Sequence, residues 1–347
     1  MNFLLMMFMK RSFPVCFFLL AFSAVHSQNI MFNKVVPPLG NFSGLVSGVT
    51  QDKNGYIWIA TNRDGLYKYD GYRFQAFTSD YSGKNSLSSN SLETVYADRD
   101  GMLWILTYVN GVDRFDPASA RFTHFQHNPA DTRSLSSDTT RAVLQDHEGT
   151  VWIGTNKGLD RYDRKTNTFK HYRHNPADSN SLSCNQVRKL YEDRKGTLWI
   201  GTGSIWVGEG GESDEGGLNR FDDRTGTFVS YRHNTANPRT LINNKVQAIL
   251  EDSRGTFWVG TAGDGLHTMD RKLGTFERHT YDPSHPEKLS RPPLGRGNFP
   301  DHITAIAEDA SGSVWISTLL NGINRYNPKN TGNRTFWKGG QYNRVSR

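Results

Sequence analysis

The sequence predicts an all-β fold, a β-propeller of four-stranded antiparallel blades, and two observations carry that prediction. A tryptophan-bearing strand follows an Asp-x-x-Gly turn six times, at Trp58, Trp104, Trp152, Trp199, Trp258 and Trp315. The tryptophans are 46, 48, 47, 59 and 57 residues apart. A period near 47 residues made of short strands is typical of radially arranged blades.

The third repeat contains every element of a predicted blade. Its segments are, in order, strand A (140–146), a tight turn (146–149), strand B (150–155), a second turn (156–158), strand C (159–163), a polar loop (164–167), strand D (168–172) and a connector (173–182). Strand B is rich in β-branched and aromatic residues, as strands are. A four-stranded blade is apolar on both faces, so it must stack between neighbours, and the unit therefore repeats.

Two residue types in strand B are expected to shape the contacts between blades. The tryptophan is large enough to fill the wedge between neighbours. Gly154, Gly201 and Gly260 follow it two residues later, and we expect them to relieve crowding where the inner strands converge on the axis.

The number of blades is a separate question from the fold. Residues 30–36, followed by 37–43, match strand D plus a connector, so the chain begins with an outer strand that belongs to the last blade. After the sixth strand D near 335–338 only residues 339–347 follow. We expect six complete repeats of a seven-bladed ring that lacks most of its last blade, in a fragment or truncated reading frame. The alternative is a six-bladed ring in which the leading strand replaces or duplicates an edge.

The N-terminus has the pattern of a secretory signal peptide. Lys10 and Arg11 precede the apolar run 13–25, and small residues lie before position 28. The expected organisation is a signal peptide (1–27), a propeller sensor domain (28–338) and the tail of a truncated blade (339–347), in the periplasm. The alternative for the leader is an uncleaved anchor. No later segment is apolar enough to span a membrane.

Charge and cysteine content exclude several classes of protein. The formal net charge is +7, of which Lys10 and Arg11 supply two, and the remaining positive charge is spread over the repeats. That distribution is typical of a solvated surface, and we expect no nucleic-acid partner. Without the leader, Cys184 is the only cysteine, which excludes an internal disulfide and a cysteine-based metal site.

The sequence offers no catalytic or cofactor motif. The Asp-x-x-Gly turns lack the alternating ligands and closing glutamate of a calcium loop, so we interpret them as turns. His124/His127 and His171/His174 are H-x-x-H pairs, but residues three apart on a strand point to opposite faces. We expect His127, His174 and His233 to shape the connectors instead. No metal, cofactor or enzymatic activity is predicted.

Candidate binding residues come from what departs from the repeat. The fourth unit carries an insertion at 203–216 between strands B and C, with Trp206 and the acids Glu209, Glu212, Asp214 and Glu215. B–C loops and D–A connectors emerge on one face of a propeller, so the insertion is expected to overhang the mouth of the channel. An aromatic face with hydrogen-bonding acids can bind a sugar ring. The alternative is a Gly-rich loop that packs on its neighbour. Further candidates on this face are Arg63, Asn110, Asn156, Lys157, Asp264 and Asn321.

The repeat resembles the two-component regulator propeller repeat. The resemblance rests on Trp-Ile-Gly-Thr followed by Gly-Leu-Asp-Arg-Tyr-Asp at 152–163 and on the His-Asn-Pro-Ala-Asp connectors at 127–131 and 174–178. It covers about residues 30–338. It implies the periplasmic sensor portion of a hybrid two-component system of the Bacteroidetes type, in which many members respond to polysaccharide breakdown products. From this resemblance we expect a chain that is truncated before the membrane helix and kinase of that architecture.

Three functions are compatible with these features. The first is a non-catalytic extracytoplasmic sensor that binds an oligosaccharide or another periplasmic ligand. The second is a propeller enzyme of the lyase or lactonase kind, which needs a metal or acid–base cluster at the channel mouth. The third is a propeller that docks a protein partner or a second copy of itself.

Overall fold

The computed structural model describes residues 43–80, 85–205, 214–263, 265–280, 302–319, 322–328 and 334–335. Those ranges contain 24 strands and no helix. The strands form six separate four-stranded antiparallel sheets, each a meander of four consecutive strands. The prediction of an all-β propeller with four-stranded blades is therefore confirmed.

Each blade follows the predicted A–B–C–D plan. Blade 1 contains β1 (Val46–Gln51), β2 (Ile57–Thr61), β3 (Leu66–Tyr69) and β4 (Phe74–Phe77). Blade 2 contains β5 (Leu92–Ala97), β6 (Leu103–Thr107), β7 (Val112–Asp116) and β8 (Arg121–Phe125). Blade 3 contains β9 (Thr140–Gln145), β10 (Val151–Thr155), β11 (Gly158–Asp163) and β12 (Thr168–Tyr172).

The remaining three blades repeat the order. Blade 4 contains β13 (Val187–Glu192), β14 (Leu198–Thr202), β15 (Gly217–Asp222) and β16 (Thr227–Tyr231). Blade 5 contains β17 (Val246–Glu251), β18 (Phe257–Thr261), β19 (Gly265–Asp270) and β20 (Thr275–His279). Blade 6 contains β21 (Ile303–Glu308), β22 (Val314–Thr318), β23 (Ile323–Tyr326) and β24 (Arg334–Thr335). The six blades form a ring around a channel whose wall includes a residue of every strand A.

The tryptophans lie between blades, as predicted. In blades 1–5 the indole packs against an aromatic ring on strand C or B of the following blade, with the centroids 4.7–5.8 Å apart: Trp58 on Phe115, Trp104 on Tyr162, Trp152 on Phe221, Trp199 on Phe257 and Trp258 on Tyr326. These five tryptophans are buried. The core of the propeller is thus a series of aromatic wedges, one at each boundary from blade 1 to blade 6.

The aspartate of each Asp-x-x-Gly turn holds its own tryptophan. In blade 1, Asp52 Oδ1 accepts the backbone N–H groups of Asn54 and Tyr56 at 2.9 and 3.1 Å, and Oδ2 accepts the indole N–H of Trp58 at 2.8 Å. The indole bond recurs in all six blades at 2.7–3.0 Å. The carboxylate therefore satisfies both the turn and a buried donor that would otherwise lack a partner. This bond supports the interpretation of the motif as a turn and not a calcium loop.

The glycines after the tryptophans relieve crowding, as predicted, and the crowding comes from the next blade. A Cβ atom on Gly154 would lie 2.5 Å from the side chain of Val187, and one on Gly260 would lie 2.4 Å from that of Ile303. Val187 and Ile303 are the first residues of strand A in the following blades. A side chain at either glycine would push neighbouring inner strands apart.

The boundary between blade 6 and blade 1 differs from the other five. The first residue of strand A is at most 1% exposed in blades 2–6, but Val46 of blade 1 is 49% exposed. Likewise, the first apolar residue of strand C is at most 5% exposed in blades 1–5, but Ile323, the first apolar residue of strand C in blade 6, is 51% exposed. Apolar faces on both sides of this boundary are therefore open to solvent. Six blades lie within the described residues, and the seven-bladed ring stays a prediction.

Candidate ligand-binding face

The B–C turns and the D–A connectors lie on one face of the ring, as predicted. In every blade a backbone N–H of the B–C turn donates to a carbonyl of the connector just before strand A. The pairs are Asn62 to Leu45, Tyr108 to Ser91, Asn156 to Thr139, Gly203 to Gln186, Ala262 to Lys245 and Leu319 to His302, at 2.9–3.2 Å. We call this surface the connector face.

The Asp-x-x-Gly turns form the opposite face and link neighbouring blades. Lys53 Nζ donates to the carbonyl of Asp100 at 3.2 Å, and the Arg194 guanidinium donates to that of Ser253 at 3.0 Å. Ser253 in turn donates its backbone N–H to Glu308 at 2.6 Å. The side chains of this turn face are thus largely committed to holding the ring together.

Two of the predicted site residues share a groove. Arg63 and Asn110, from the B–C turns of blades 1 and 2, line an open cavity of about 640 Å³ on the connector face with Asn62 and the connector residues 87–91. The Asn110 side-chain amide donates to the carbonyl of Ser88 at 3.0 Å, so it shapes the groove wall. Arg63 is exposed and offers a guanidinium to the groove.

The neighbouring B–C turn of blade 3 carries two further predicted residues. Lys157 is exposed, and its backbone N–H donates to Thr155 Oγ1 at 2.9 Å, which fixes the turn. Asn156 Oδ1 is buried and has no hydrogen-bond partner among the described residues. Gly158 closes the turn with φ at +127°, where a Cβ would lie 2.4 Å from the carbonyl oxygen of Tyr172. The turn thus has a rigid backbone and an unsatisfied amide oxygen.

The other predicted site residues lie outside the described residues. They are Trp206, Glu209, Glu212, Asp264 and Asn321, and the predicted signal peptide (1–27) and tail (339–347) also fall outside. Both ends of the blade-4 insertion are described. Gly203 accepts the side-chain amide of Gln247 at 3.0 Å, and the carbonyl of Asp214 accepts that of Asn244 at 2.7 Å. Ser204 Oγ accepts a hydrogen bond from Arg188 at 2.5 Å.

The sequence reasoning missed a ring of side chains inside the channel. In every blade the pairing of strands A and B skips one residue, the second of strand A, through a β-bulge. A bulge re-aims a side chain. The skipped residues all line the channel: Ser47, Glu93, Arg141, Arg188, Gln247 and Thr304. We call them the bulge ring. Five residue types occupy the six positions, with arginine in both blade 3 and blade 4, and an alignment of the six repeats shows this variation.

The bulge ring borders a cavity of about 410 Å³, which is within the range of small-molecule sites. Arg141 pairs with Glu93 at 3.2 Å and lies over the ring of Tyr108, 5.4 Å from its centroid. Lys189, the residue after Arg188, also lines the cavity. The wall therefore carries three cationic side chains and one carboxylate.

The histidines of the H-x-x-H pairs have structural partners. The ring Nδ1 atoms of His127, His174 and His233 bond to the carbonyls of Leu135, Leu182 and Leu241 at 2.8, 2.5 and 2.7 Å, which confirms their role in the connectors. His124 and His171 each bond to a fully buried aspartate of strand C, Asp113 and Asp160, at 2.7 Å. Within the described ranges no group of three or more His, Cys, Asp or Glu side chains is placed to hold a metal ion.

These histidine–aspartate pairs give the stability a pH dependence. The hydrogen bond that the His171 ring donates to the Asp160 carboxylate raises the pKa of His171 above its usual 6.5. Stabilisation from a raised pKa is complete below the unfolded value and is lost as pH rises through the folded one. We expect His171→Gln to lower the free energy of unfolding more at pH 5.5 than at pH 9, measured by urea denaturation.

Blade 4 offers a matched control for this prediction. There Asn219 and Ser230 replace the aspartate and the histidine and bond at 2.8 Å. Ser230→Ala should change the stability by the same amount at both pH values, because neither group titrates. An effect of His171→Gln that is equally independent of pH would contradict the assignment.

Comparison with known proteins identifies the repeat. A family model described as two-component regulator propeller matches residues 42–63, 134–157, 181–204 and 240–263. Each match covers strand A, the Asp-x-x-Gly turn and strand B of one blade, which are the elements that carry the indole–carboxylate bond. Four of the six repeats thus match the two-component regulator propeller family. The resemblance predicted from the sequence is confirmed.

A solved structure of an extracellular domain is similar to this chain. The extracellular domain of the hybrid two-component system BT3049 from B. thetaiotaomicron is 25% identical with a TM-score of 0.66, and the match covers 86% of this chain and 36% of that one. The chain thus spans about a third of the length of that domain. Structural neighbours of this propeller therefore include an extracellular domain of a two-component system. Within the described ranges no helix has the length and hydropathy needed to cross a bilayer.

More distant structures share the fold alone. Virginiamycin B lyase from Staphylococcus aureus is 14% identical with a TM-score of 0.56, over 83% of this chain and 82% of the lyase. PorZ, a surface component of the type-IX secretion system of Porphyromonas gingivalis, is 16% identical with a TM-score of 0.55, over 85% of this chain and 41% of PorZ. No curated protein sequence matches the regulator propeller of this chain.

Proposed function

We propose that this regulator propeller is a non-catalytic, extracytoplasmic sensor module that binds an oligosaccharide on its connector face for two-component signalling. The observation that carries the proposal is the combined match of the repeat and of the fold to the extracellular domain of a hybrid two-component system. Placement in the periplasm, by way of a signal peptide at 1–27, is part of the proposal. The predicted truncation before a membrane helix and kinase stays a prediction.

The side chains of the two faces have different roles, and this difference supports ligand binding on the connector face. On the turn face, repeated aspartates and cross-blade bonds hold the ring. On the connector face, the B–C turns present side chains that differ from blade to blade: Arg63 in a groove of about 640 Å³, and Lys157 on a fixed turn. Loops fixed by a rigid scaffold are where proteins place recognition residues.

A saccharide suits the chemistry of this face. Sugar rings offer many hydroxyl groups and one apolar surface, and they are bound by side-chain hydrogen-bonding groups together with an aromatic ring. Asn156 Oδ1 is a buried acceptor without a partner among the described residues, and Arg63 is an exposed donor. The blade-4 insertion, whose described ends are bonded to Asn244 and Gln247, adds Trp206 from the sequence.

A glycan array tests the proposal. We expect the full chain to bind a defined subset of oligosaccharides, and Trp206→Ala to weaken that binding by about tenfold or more, since stacking and burial of one aromatic ring contribute about 1–3 kcal/mol. Trp315→Phe, in the scaffold of blade 6, is the control and should leave the array pattern unchanged. An array without hits would contradict the proposal and favour docking of a protein partner or a second copy. Stoichiometric bound metal together with turnover of a sugar lactone would favour an enzyme.

A further inference from the structure

The channel end at the connector face has the features of a binding site that is separate from the grooves between blades. Six bulges aim six side chains at the axis, and the cavity that they border holds about 410 Å³. A purely structural channel of identical repeats would present the same residue six times. Here the positions hold two arginines, a glutamate, a glutamine, a serine and a threonine.

Most of these side chains already have partners in the protein. Arg141 pairs with Glu93, and Arg188 donates to Ser204 at the root of the blade-4 insertion. Ser47 Oγ donates to the carbonyl of Leu92 at 2.7 Å. Thr304 Oγ1 bonds to Ser317 Oγ at 2.9 Å. The bulge ring is therefore held in place, and a ligand would meet a preorganised wall.

Lys189 is the exception. Its side chain lines the cavity and makes no hydrogen bond or ion pair with any residue in the ranges the structure describes. Burial lowers its pKa from the usual 10.5. A desolvated ammonium group without a partner is unfavourable, and an anion placed beside it would remove that penalty.

We propose that the channel binds the acidic group of a small polar anion, a carboxylate or a sulfate, at Lys189, with Arg188 and Arg141 supplying the surrounding positive charge. The cavity wall carries three cationic side chains against the single carboxylate of Glu93. In a cleft, an excess of charge of one sign concentrates ions of the opposite sign. Neutral groups on the same wall suit the hydroxyl groups of an acidic sugar, because Gln247 has a second amide N–H beyond the one that it donates to Gly203, and Ser47 Oγ can still accept.

The proposal deepens the proposed function, because an acidic sugar bound there would be one oligosaccharide class that the sensor recognises. The channel proposal rests on the geometry of the channel, however, so the channel proposal and the sensor proposal can fail separately. Array hits confined to neutral glycans would leave the sensor proposal intact and count against the channel site. Binding of a simple anion at Lys189 without any array hit would support the channel site and count against the sensor proposal.

Isothermal titration calorimetry at constant ionic strength tests the site with defined probes. The full chain is titrated with glucuronate, with glucose as the neutral analogue, and with sulfate against chloride. We expect glucuronate or sulfate to bind and glucose not to bind, and the comparison of the two anions tells a carboxylate site from a sulfate site. Lys189→Gln should weaken the anion by about tenfold or more, as expected when a charge-assisted hydrogen bond is lost.

Two further variants serve as controls for this test. Lys189→Arg retains the charge and should bind within about threefold of the wild type, since the cation is kept. Lys165→Gln removes one positive charge from an exposed loop on the outer edge of blade 3 and should leave binding unchanged. Absence of anion binding at about 10 mM, where even a weak site would be seen, would overturn the proposal. Equal weakening by Lys189→Gln and Lys165→Gln would also overturn it.

Discussion

Trp199→Ala is expected to lower the free energy of unfolding by about 3–5 kcal/mol, the range observed when a large buried aromatic side chain is truncated. Trp199 is 1% exposed, and its ring lies 4.7 Å from that of Phe257 in blade 5 and 6.1 Å from that of Tyr231. Its removal opens a cavity at the boundary of blades 4 and 5. Guanidinium denaturation followed by tryptophan fluorescence and circular dichroism measures the loss.

The matched control is the equivalent residue of blade 6. Trp315 makes the same indole bond to its aspartate, at 2.7 Å, but it faces the open boundary and is only partly buried. Trp315→Ala should therefore destabilise the protein by about half as much or less, because less apolar area leaves water there. Equal losses for the two variants would mean that the indole–carboxylate bond, and not packing between blades, determines the effect.

Asp193→Ala is expected to have an effect of similar size, about 3–5 kcal/mol, because it leaves several buried donors without an acceptor, at about 1–3 kcal/mol each. Arg271 keeps its second partner, Glu251, at 2.5 Å. Asp193 Oδ1 accepts the backbone N–H groups of Lys195 and Thr197 at 2.9 and 3.0 Å. Its Oδ2 accepts the Trp199 indole at 2.9 Å and the Arg271 guanidinium at 2.8 Å. The substitution leaves four donors without their acceptor. Thermal and chemical denaturation check the prediction.

Asp146→Ala in blade 3 is the control for the ion pair. Asp146 accepts the same two kinds of backbone N–H and the Trp152 indole, at 2.7–3.1 Å, and its carboxylate forms no ion pair with any described residue. We expect a smaller loss than for Asp193→Ala, and the difference reports the contribution of Arg271. If Asp146→Ala were the more destabilising change, the ion pair would not be stabilising.

The carboxylate of Asp193 also determines the direction in which the stability of the protein changes with pH. Burial alone would raise the pKa of Asp193, but the hydrogen bonds from Trp199 and the backbone, with the charge of Arg271, outweigh it and lower the pKa from 3.8. A lowered pKa stabilises the fold above the unfolded value and ceases to do so as pH falls through the folded value. The stability difference between the wild type and Asp193→Ala should therefore shrink below pH 3.8.

The blades could be predicted from sequence because their signals are local. The turn that starts at Asp146, the apolar strand around Trp152 and the tight turn ending at Gly158 lie within one stretch of chain, and each element follows from its own residues. The indole–carboxylate bond was missed, although Asp146 and Trp152 are only six residues apart. Its formation depends on how a turn and a strand orient two side chains, and residue spacing alone does not express that.

The candidate site was less predictable, because its residues meet through the ring and not along the chain. Glu93 and Arg141 are 48 positions apart and become neighbours only when strands A of blades 2 and 3 face each other. The bulge that aims them inward is an irregularity of pairing, which periodic patterns do not reveal. By contrast, Arg63 and Asn110 were predicted correctly to share a face, since both follow strand B in the repeat.

The central claim is that the repeat is scaffold and that side chains on the connector face bind the ligand. A glycan array read with two double variants tests it most directly. Arg63→Ala/Lys157→Ala alters the connector face, whereas Lys195→Ala/Arg224→Ala alters a cavity of about 490 Å³ on the turn face. We expect the first variant to lose the wild-type hits and the second to keep them. Loss of binding in the turn-face variant, with the connector-face variant unchanged, would contradict the claim.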